Sequence, residues 1–238
     1  RDLSIEGPFT ATLQQAENLY IDAGVNSIRI LACDKGDVEL GRLVIAGNED
    51  LAAAVAGYGL DRLPDPTGIY ITGKLQETLR NHIGRGELIL PAAALWSAAG
   101  SLLENKPLGI IELSASGYVI IGIDETGNLK DDMLSVNPRC GAGSGINLDR
   151  VLQKLDIGRD AVDTILADYI GEENRARREE VNMRADRCGV FASSATISDK
   201  NQGIPLDFAL AVTLKSEVLK ACKKLHSRFE TVWLSGGI

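Results

Sequence analysis

The sequence predicts an α/β chain built from two related lobes. Three observations carry that expectation. A unit of strand, tight turn, strand, turn, strand occurs twice, around 19–46 and 108–136. Short apolar strands stop at glycine-bearing turns, as at Asp22-Ala23-Gly24, at Gly73 after Thr72, and at Ser235-Gly236-Gly237. Helical periodicity lies between them, clearest where Leu148, Val151, Leu152 and Leu155 fall at i, i+3, i+4 and i+7.

Residues 1–17 are expected to be irregular, with Gly7-Pro8 as a breaker. Leu19-Tyr20-Ile21 reads as a strand, Ser27 to Cys33 as a second, and Leu40 to Ala46 as a third after a hairpin turn at Lys35-Gly36-Asp37. Asn48-Glu49-Asp50 can cap a helix over Leu51 to Ala56. Ile69-Tyr70-Ile71-Thr72 returns as a strand, and Gln76 to Ile83 as a helix. Pro91 suits the first turn of a helix running to Leu103, rich in Ala and apolar nearly all round, hence expected to be buried. Trp96 and Trp233 read as core. In the second half, Leu108 to Leu113 and Tyr118 to Ile123 are strands, Asp124 to Asn128 turns, and Leu129 to Val136 pairs back. A glycine-rich loop, Cys140 to Gly145, opens a helix, and a second helix spans about Arg159 to Ile170. The mixed charges of Glu172 to Arg187 read as a solvated face. Pro205 starts a last helix reaching about His226, and Thr231 to Leu234 is a strand.

Composition narrows the function. The 238 residues suit one large domain or two small ones. With 25 basic and 33 acidic residues the net charge is −8, which argues against nucleic acid or an anionic membrane as partner. No apolar run approaches the roughly 18 residues of a transmembrane helix, and no signal peptide opens the chain. Four cysteines, at 33, 140, 188 and 222, form no C-x-x-C pair, which favours a reducing cytoplasm. Two histidines supply a His-based metal site or a Ser/His/Asp triad poorly. Arg1 at the start and Ile238 at the end, with no polar tail, raise the expectation of a fragment of a longer protein, or of one with disordered ends.

Tight turns after apolar strands are phosphate-binding candidates, because their backbone N–H groups point at anions and glycine lets the backbone come close. Four occur: Asp22 to Ser27, Ser114 to Gly117, Gly141 to Gly145, and Gly236-Gly237. One such turn is a weak signal; four in this order on duplicated β-units are far more specific.

The order of turns resembles that of the sugar kinase, heat-shock protein and actin superfamily, with its ribonuclease H-like lobes. Within it, the chain is most similar to the activator family of 2-hydroxyacyl-CoA dehydratases and benzoyl-CoA reductases. Asn137-Pro138-Arg139-Cys140-Gly141-Ala142-Gly143-Ser144-Gly145 is similar to that family's N-D-K-C-A-A-G-T-G, and Cys188-Gly189-Val190-Phe191-Ala192-Ser193-Ser194 to its C-T-V-F-A-E-S. The resemblance implies an actin-like ATPase fold, with lobe I over 18–104 and lobe II over 105–238, cut short at the C-terminus. It implies a homodimer sharing one 4Fe–4S cluster through Cys140 and Cys188 of each subunit, and ATP-driven transfer of an electron to an acyl-CoA dehydratase or reductase component. Nucleotide contacts would fall on Gly24, Ser27, Ser114, Ser116, Gly143, Ser144, Gly145, Gly236 and Gly237. Asp22 and Glu112 would hold Mg²⁺ through water. Cys33 and Cys222 read as small buried hydrophobes, and His82 as inert.

The chain departs from the family at the nucleotide turns. The family's first turn reads D-I-G-S-T-T-T-K; Asp22 and Gly24 match it, Val25-Asn26-Ser27 replaces most hydroxyls, and Arg29 stands near the lysine position. Its second reads D-I-G-G-Q-D, against Glu112-Leu113-Ser114-Ala115-Ser116-Gly117, where side chains replace both turn glycines and obstruct close approach of phosphate. Two rival readings stand beside the activator: a degenerate module of the same fold that binds or regulates with little or no ATP hydrolysis, and a small-molecule kinase, for which no motif marks a catalytic Asp.

Overall fold

The computed structural model describes residues 9–47, 49–65, 67–100, 106–136, 144–175, 189–223, 225 and 229–236. The chain divides into two compact units, Arg1–Ala94 and Leu95–Ile238.

The first unit holds a five-stranded sheet in the order β3-β2-β1-β4-β5. Its strands are β1 (Asn18–Ala23), β2 (Ser27–Cys33), β3 (Glu39–Ala46), β4 (Gly68–Thr72) and the short β5 (Glu87–Leu88). β1, β2 and β3 form an antiparallel meander, while β1 pairs with β4 in parallel. Alternation decides which face is covered. Leu19, Ile21 and Ala23 of β1, Ile28 and Ile30 of β2, and Ile69 and Ile71 of β4 pack with Val55 of α2 (Leu51–Tyr58) and with Leu79 and Ile83 of α3 (Gln76–Ile83). Asp50 caps α2, its carboxylate accepting from the Ala53 N–H at 2.8 Å, and Gly59 ends it in the left-handed conformation.

The opposite face carries Asn18, Tyr20 and Asp22 beside Gly68, Tyr70 and Thr72 in parallel register. Tyr20 stacks on Tyr70 with centroids 5.3 Å apart. The Tyr20 hydroxyl donates to Asp37 at 2.7 Å, and the Asn18 amide donates to the same oxygen at 3.0 Å. Burial, then the hydrogen bond to Asp37, pushes the Tyr20 phenol up to about 12. Asp37 has a positive φ of 57° in the hairpin turn expected at Lys35-Gly36-Asp37.

The second unit repeats the plan with one strand fewer, in the order β8-β7-β6-β9. The strands are β6 (Leu108–Ser114), β7 (Gly117–Ile123), β8 (Ser135–Val136) and β9 (Thr231–Gly236), with β6 parallel to β9 and antiparallel to β7. Burial is almost continuous along β6 and β7, as in a sheet covered on both faces. The helices are α5 (Ser144–Leu155), α6 (Val162–Ile170), α7 (Gly189–Asn201) and α8 (Leu206–Cys222). Leu148, Val151 and Leu152 of α5 pack with Val162 and Leu210, as their spacing requires.

Four expectations change. Residues 1–17 are not wholly irregular, because Phe9–Leu13 form a short helix, α1, with Leu13 buried. The helix from Pro91, α4 (Pro91–Gly100), buries only Ala99, and Trp96 is 40% exposed, its indole N–H donating to the Gly127 carbonyl at 2.8 Å. Alanine offers little apolar area per turn, so an apolar pattern built from it does not compel burial. Trp233 is half-buried rather than core. Leu129–Val136 pairs back only through a bridge at Leu129 and at Ser135–Val136; Asp131–Met133 instead form a 3-10 turn, since Asp131-Asp132 suits a turn better than a strand. Helix α7 was not expected, because Ser193, Ser194, Thr196 and Ser198 lower its propensity and break no apolar stripe into view.

Candidate functional site

In the first unit the site grows from the ends of β1 and β4. Strand register places Arg29 of β2, Asp22 of β1 and Thr72 of β4 side by side in one row on the face away from α2 and α3. The row lies at the carboxyl ends of the two parallel strands, where open α/β sheets gather their ligands. The Asp22 carboxylate is 40% exposed, and Arg29 approaches it at 3.9 Å. Burial raises the pKa of Asp22, and Arg29 opposes the shift. Among the described residues, the Thr72 hydroxyl is sealed from solvent and has no hydrogen-bond partner.

The turn beyond is tightly made of backbone. Gly73 has a φ of +96°, and a Cβ there would stand 2.7 Å from both the Ala23 carbonyl oxygen and Asp22 Oδ1, so only glycine fits against the carboxylate. The Leu75 N–H donates to the Ala23 carbonyl at 2.8 Å, and the Gly47 N–H donates to that of Asn26 at 2.9 Å. Gly24 is likewise close, a Cβ there meeting the Ser27 carbonyl at 2.8 Å. Ser27 opens β2 and is half-buried.

In the second unit three predicted turns meet. Ser114 and Ser116 flank the β6–β7 turn, their hydroxyls 3.3 Å apart, and the Ser114 hydroxyl reaches the Gly117 carbonyl at 3.2 Å. The first turn of α5 rests on this turn: the Ile146 N–H donates to the Ala115 carbonyl at 3.1 Å, and a Cβ on Gly145 would lie 2.8 Å from the Ala115 Cα. Gly236, at φ +122°, lies against Leu113, whose carbonyl a Cβ would strike. Glu112 is half-buried on β6, opposite Ser235 of β9. Gly145 and Gly236 are thus used for close backbone packing. Ser144 begins α5. Cys140, Gly143, Cys188 and Gly237 lie outside the described residues. Among the described residues, no group of three His, Cys, Asp or Glu side chains is placed to hold a metal ion, and no helix is long and apolar enough to cross a membrane.

Sequence reasoning missed two features. The Thr72-Gly73 turn was read as falling where the resembled family has its glycine turns, but the place of Thr72 beside Asp22 depends on strand register. A buried polar chain runs from Asn147 on α5 to α8: the Asn147 amide donates to Glu217 at 3.4 Å, and Lys220 donates to the same carboxylate oxygen at 2.6 Å. Nearby, the hydroxyls of Thr196 and Thr213 bond to each other across α7 and α8. No motif announces either; helical spacing puts Glu217 and Lys220 on one side of α8 but does not bury them.

Together these features define a protein of the actin-like ATPase fold, with a β-meander joined in parallel to a later strand in each unit. Two solved structures with a similar fold are a dehydratase component and a dehydratase activator. The fold matches (R)-2-hydroxyglutaryl-CoA dehydratase component A of Acidaminococcus fermentans with a TM-score of 0.69 at 17% identity, over 92% of this chain and 82% of that one. It matches the activator of 2-hydroxyisocaproyl-CoA dehydratase from Clostridium difficile, solved with bound ADPNP, with a TM-score of 0.67 at 18% identity, over 92% and 80% of the two chains. An uncharacterized protein of Methanocaldococcus jannaschii is 21% identical over 160 residues, 67% of this chain and 60% of that protein, so the match spans less than two thirds of that relative. No protein-family model matches the sequence.

Proposed function

We propose that this chain binds ATP with magnesium and acts as an activator, passing an electron from an iron–sulfur cluster to an acyl-CoA dehydratase or a related reductase component. The observation that carries the nucleotide part is the row of Arg29, Asp22 and Thr72 at the carboxyl ends of β1 and β4. A carboxylate and a hydroxyl are the hard oxygen donors that magnesium engages through its waters, and the donor set fits that ion. Asp22 would orient the metal-held water. Arg29, only loosely paired at 3.9 Å, is free to turn toward a phosphate. Gly73 keeps the turn close enough for the carboxylate to be held in place. The further residues that the resemblance assigns to the magnesium nucleotide are Gly24 and Ser27 in the first unit and, in the second, Glu112, Ser114, Ser116, Gly143, Ser144, Gly145, Gly236 and Gly237, and each is proposed as a contact of its own unit. The solved activator that holds ADPNP supports a nucleotide as ligand.

For the cluster, Cys140 and Cys188 of each of two subunits would supply the four thiolates that a four-iron centre in a homodimer needs. When bound, such a centre supplies one-electron transfer. Placement of Cys140 before a helix N-terminus in the sequence favours its thiolate. Thiolate ligation of this kind suits the reducing cytoplasm.

The paired hydroxyls of Ser114 and Ser116 favour a second reading, a binding or regulatory module with little or no ATP hydrolysis, because they fill a turn that glycine would leave open to phosphate. Calorimetry with ATP, in magnesium and in EDTA, decides between them. The activator reading expects magnesium-dependent binding followed by phosphate release. Heat of binding without phosphate release supports the module, and no heat at all overturns the nucleotide site.

A further inference from the structure

Thr72 is the group in the first unit whose chemistry nothing in the fold uses. Its hydroxyl is sealed from solvent and, among the described residues, lacks a hydrogen-bond partner. Leaving a buried hydroxyl unpaired costs about 1–3 kcal/mol, so a fold that only needed a side chain of this shape would do better with valine. The neighbours sharpen the point. Ile69 and Ile71 alternate into the core, whereas Thr72 shares the other face with Tyr70 and lies in register with Asp22. Gly73 follows at once, where an added Cβ would stand 2.7 Å from the same carboxylate. Register therefore puts Thr72 beside Asp22 at the carboxyl ends of the strands, and among the described residues its hydroxyl has no hydrogen-bond partner.

We propose that Thr72 is a binding residue of the Asp22 site. Its hydroxyl bonds an oxygen carried by the magnesium nucleotide, either a phosphate oxygen or a water held by the metal. The assignment rests on the nucleotide reading above and extends it to a residue outside the four glycine turns. The partially buried carboxylate holds the ligand's charge, and the threonine hydroxyl supplies the directional bond that fixes the oxygen beside it. Arg29 closes the other side of the row.

The experiment compares the wild-type chain with Thr72→Val and Thr72→Ser, by thermal melting without ligand and by ATP titration in magnesium and in EDTA. Valine keeps the shape and removes the hydroxyl. It is expected to leave the ligand-free melting temperature unchanged or higher, because it removes an unpaired buried group, and to weaken magnesium–ATP binding about tenfold. Serine is expected to keep the affinity within about twofold of wild type, and Thr72→Ala, should the valine variant fail to fold, is expected to show the same loss. A loss confined to the magnesium titration assigns the bond to a metal-held water, and a loss that persists in EDTA assigns it to a phosphate oxygen; either carries the proposal. Wild-type affinity in the valine variant overturns it and leaves the nucleotide site standing. So does a valine variant that melts lower with unchanged affinity, which would mean that Thr72 pairs inside the protein. Absence of binding by the wild type overturns both the proposal and the reading beneath it.

Discussion

Asp22 is pulled in two directions. Burial at the end of β1 disfavours its charge, while Arg29 at 3.9 Å favours it. Burial is the stronger, so the carboxyl titrates higher in the folded chain than in the unfolded one. Between the two values the folded chain holds a proton that the unfolded chain has lost, and stability falls as pH rises through that window. The penalty then persists at neutral pH. Asp22→Asn removes it, and the exposed contact with Arg29 that is lost is worth little. The variant is expected to melt higher than wild type at pH 7, with the gap closing as pH drops below the usual carboxylate range. The same variant is expected to lose magnesium-dependent ATP affinity about ten- to a hundredfold, since a charged acceptor is gone. Melting curves from pH 3 to 8 beside calorimetry check both; a lower melting temperature at pH 7 contradicts the assignment of the charge penalty.

At the scale of elements, helices meet sheets through backbone closeness as much as through apolar area. Gly145 brings the first turn of α5 onto Ala115, and Gly236 brings β9 onto Leu113. Two residues further along α5, Asn147 joins Glu217 and Lys220 of α8 in a buried chain. The Glu217 and Lys220 side chains are 4% and 12% exposed, so removing the ammonium leaves a carboxylate buried without its charge partner. Lys220→Met is expected to cost about 3–5 kcal/mol, and adding Glu217→Gln to recover most of it. Urea unfolding of the single and double variants measures this; equal losses in both would show that the helix, not the ion pair, was damaged. The same scale explains β8. Asp131-Asp132 turns the chain, so the third strand of the second meander shrinks to Ser135–Val136, although its counterpart β3 runs for eight residues.

For the whole molecule, the proposed cluster makes a claim on the dimer. Anaerobically reconstituted protein is expected to be brown, with about two irons per chain when a four-iron centre is shared by two subunits. Cys140→Ser and Cys188→Ser are each expected to bleach it, whereas Cys33→Ser is expected to keep colour and iron, because Cys33 is buried within β2. Colourless wild-type protein after reconstitution removes the cluster. The repeat of strand and turn pointed to two related α/β lobes, since a strand ending at a glycine turn is a local event written in a few residues, and the actin-like fold came from the resemblance of those turns and of the two cysteine segments. β2 runs over Ser27–Cys33 and α3 over Gln76–Ile83, the bounds their residues predicted. Asp22, Gly24 and the serine turn were legible for the same reason. Thr72 was not, and neither were Asn147, Glu217 and Lys220, because their meaning depends on which strand or helix lies alongside. By itself the sequence determined the order of β1 to β4 and of β6 to β9 and the acidic residue at the end of β1, set by local pattern. Only the tertiary structure decided that Arg29, Asp22 and Thr72 form one row and that Thr72 stands unpaired, because register and burial arise from contacts between segments far apart in the chain.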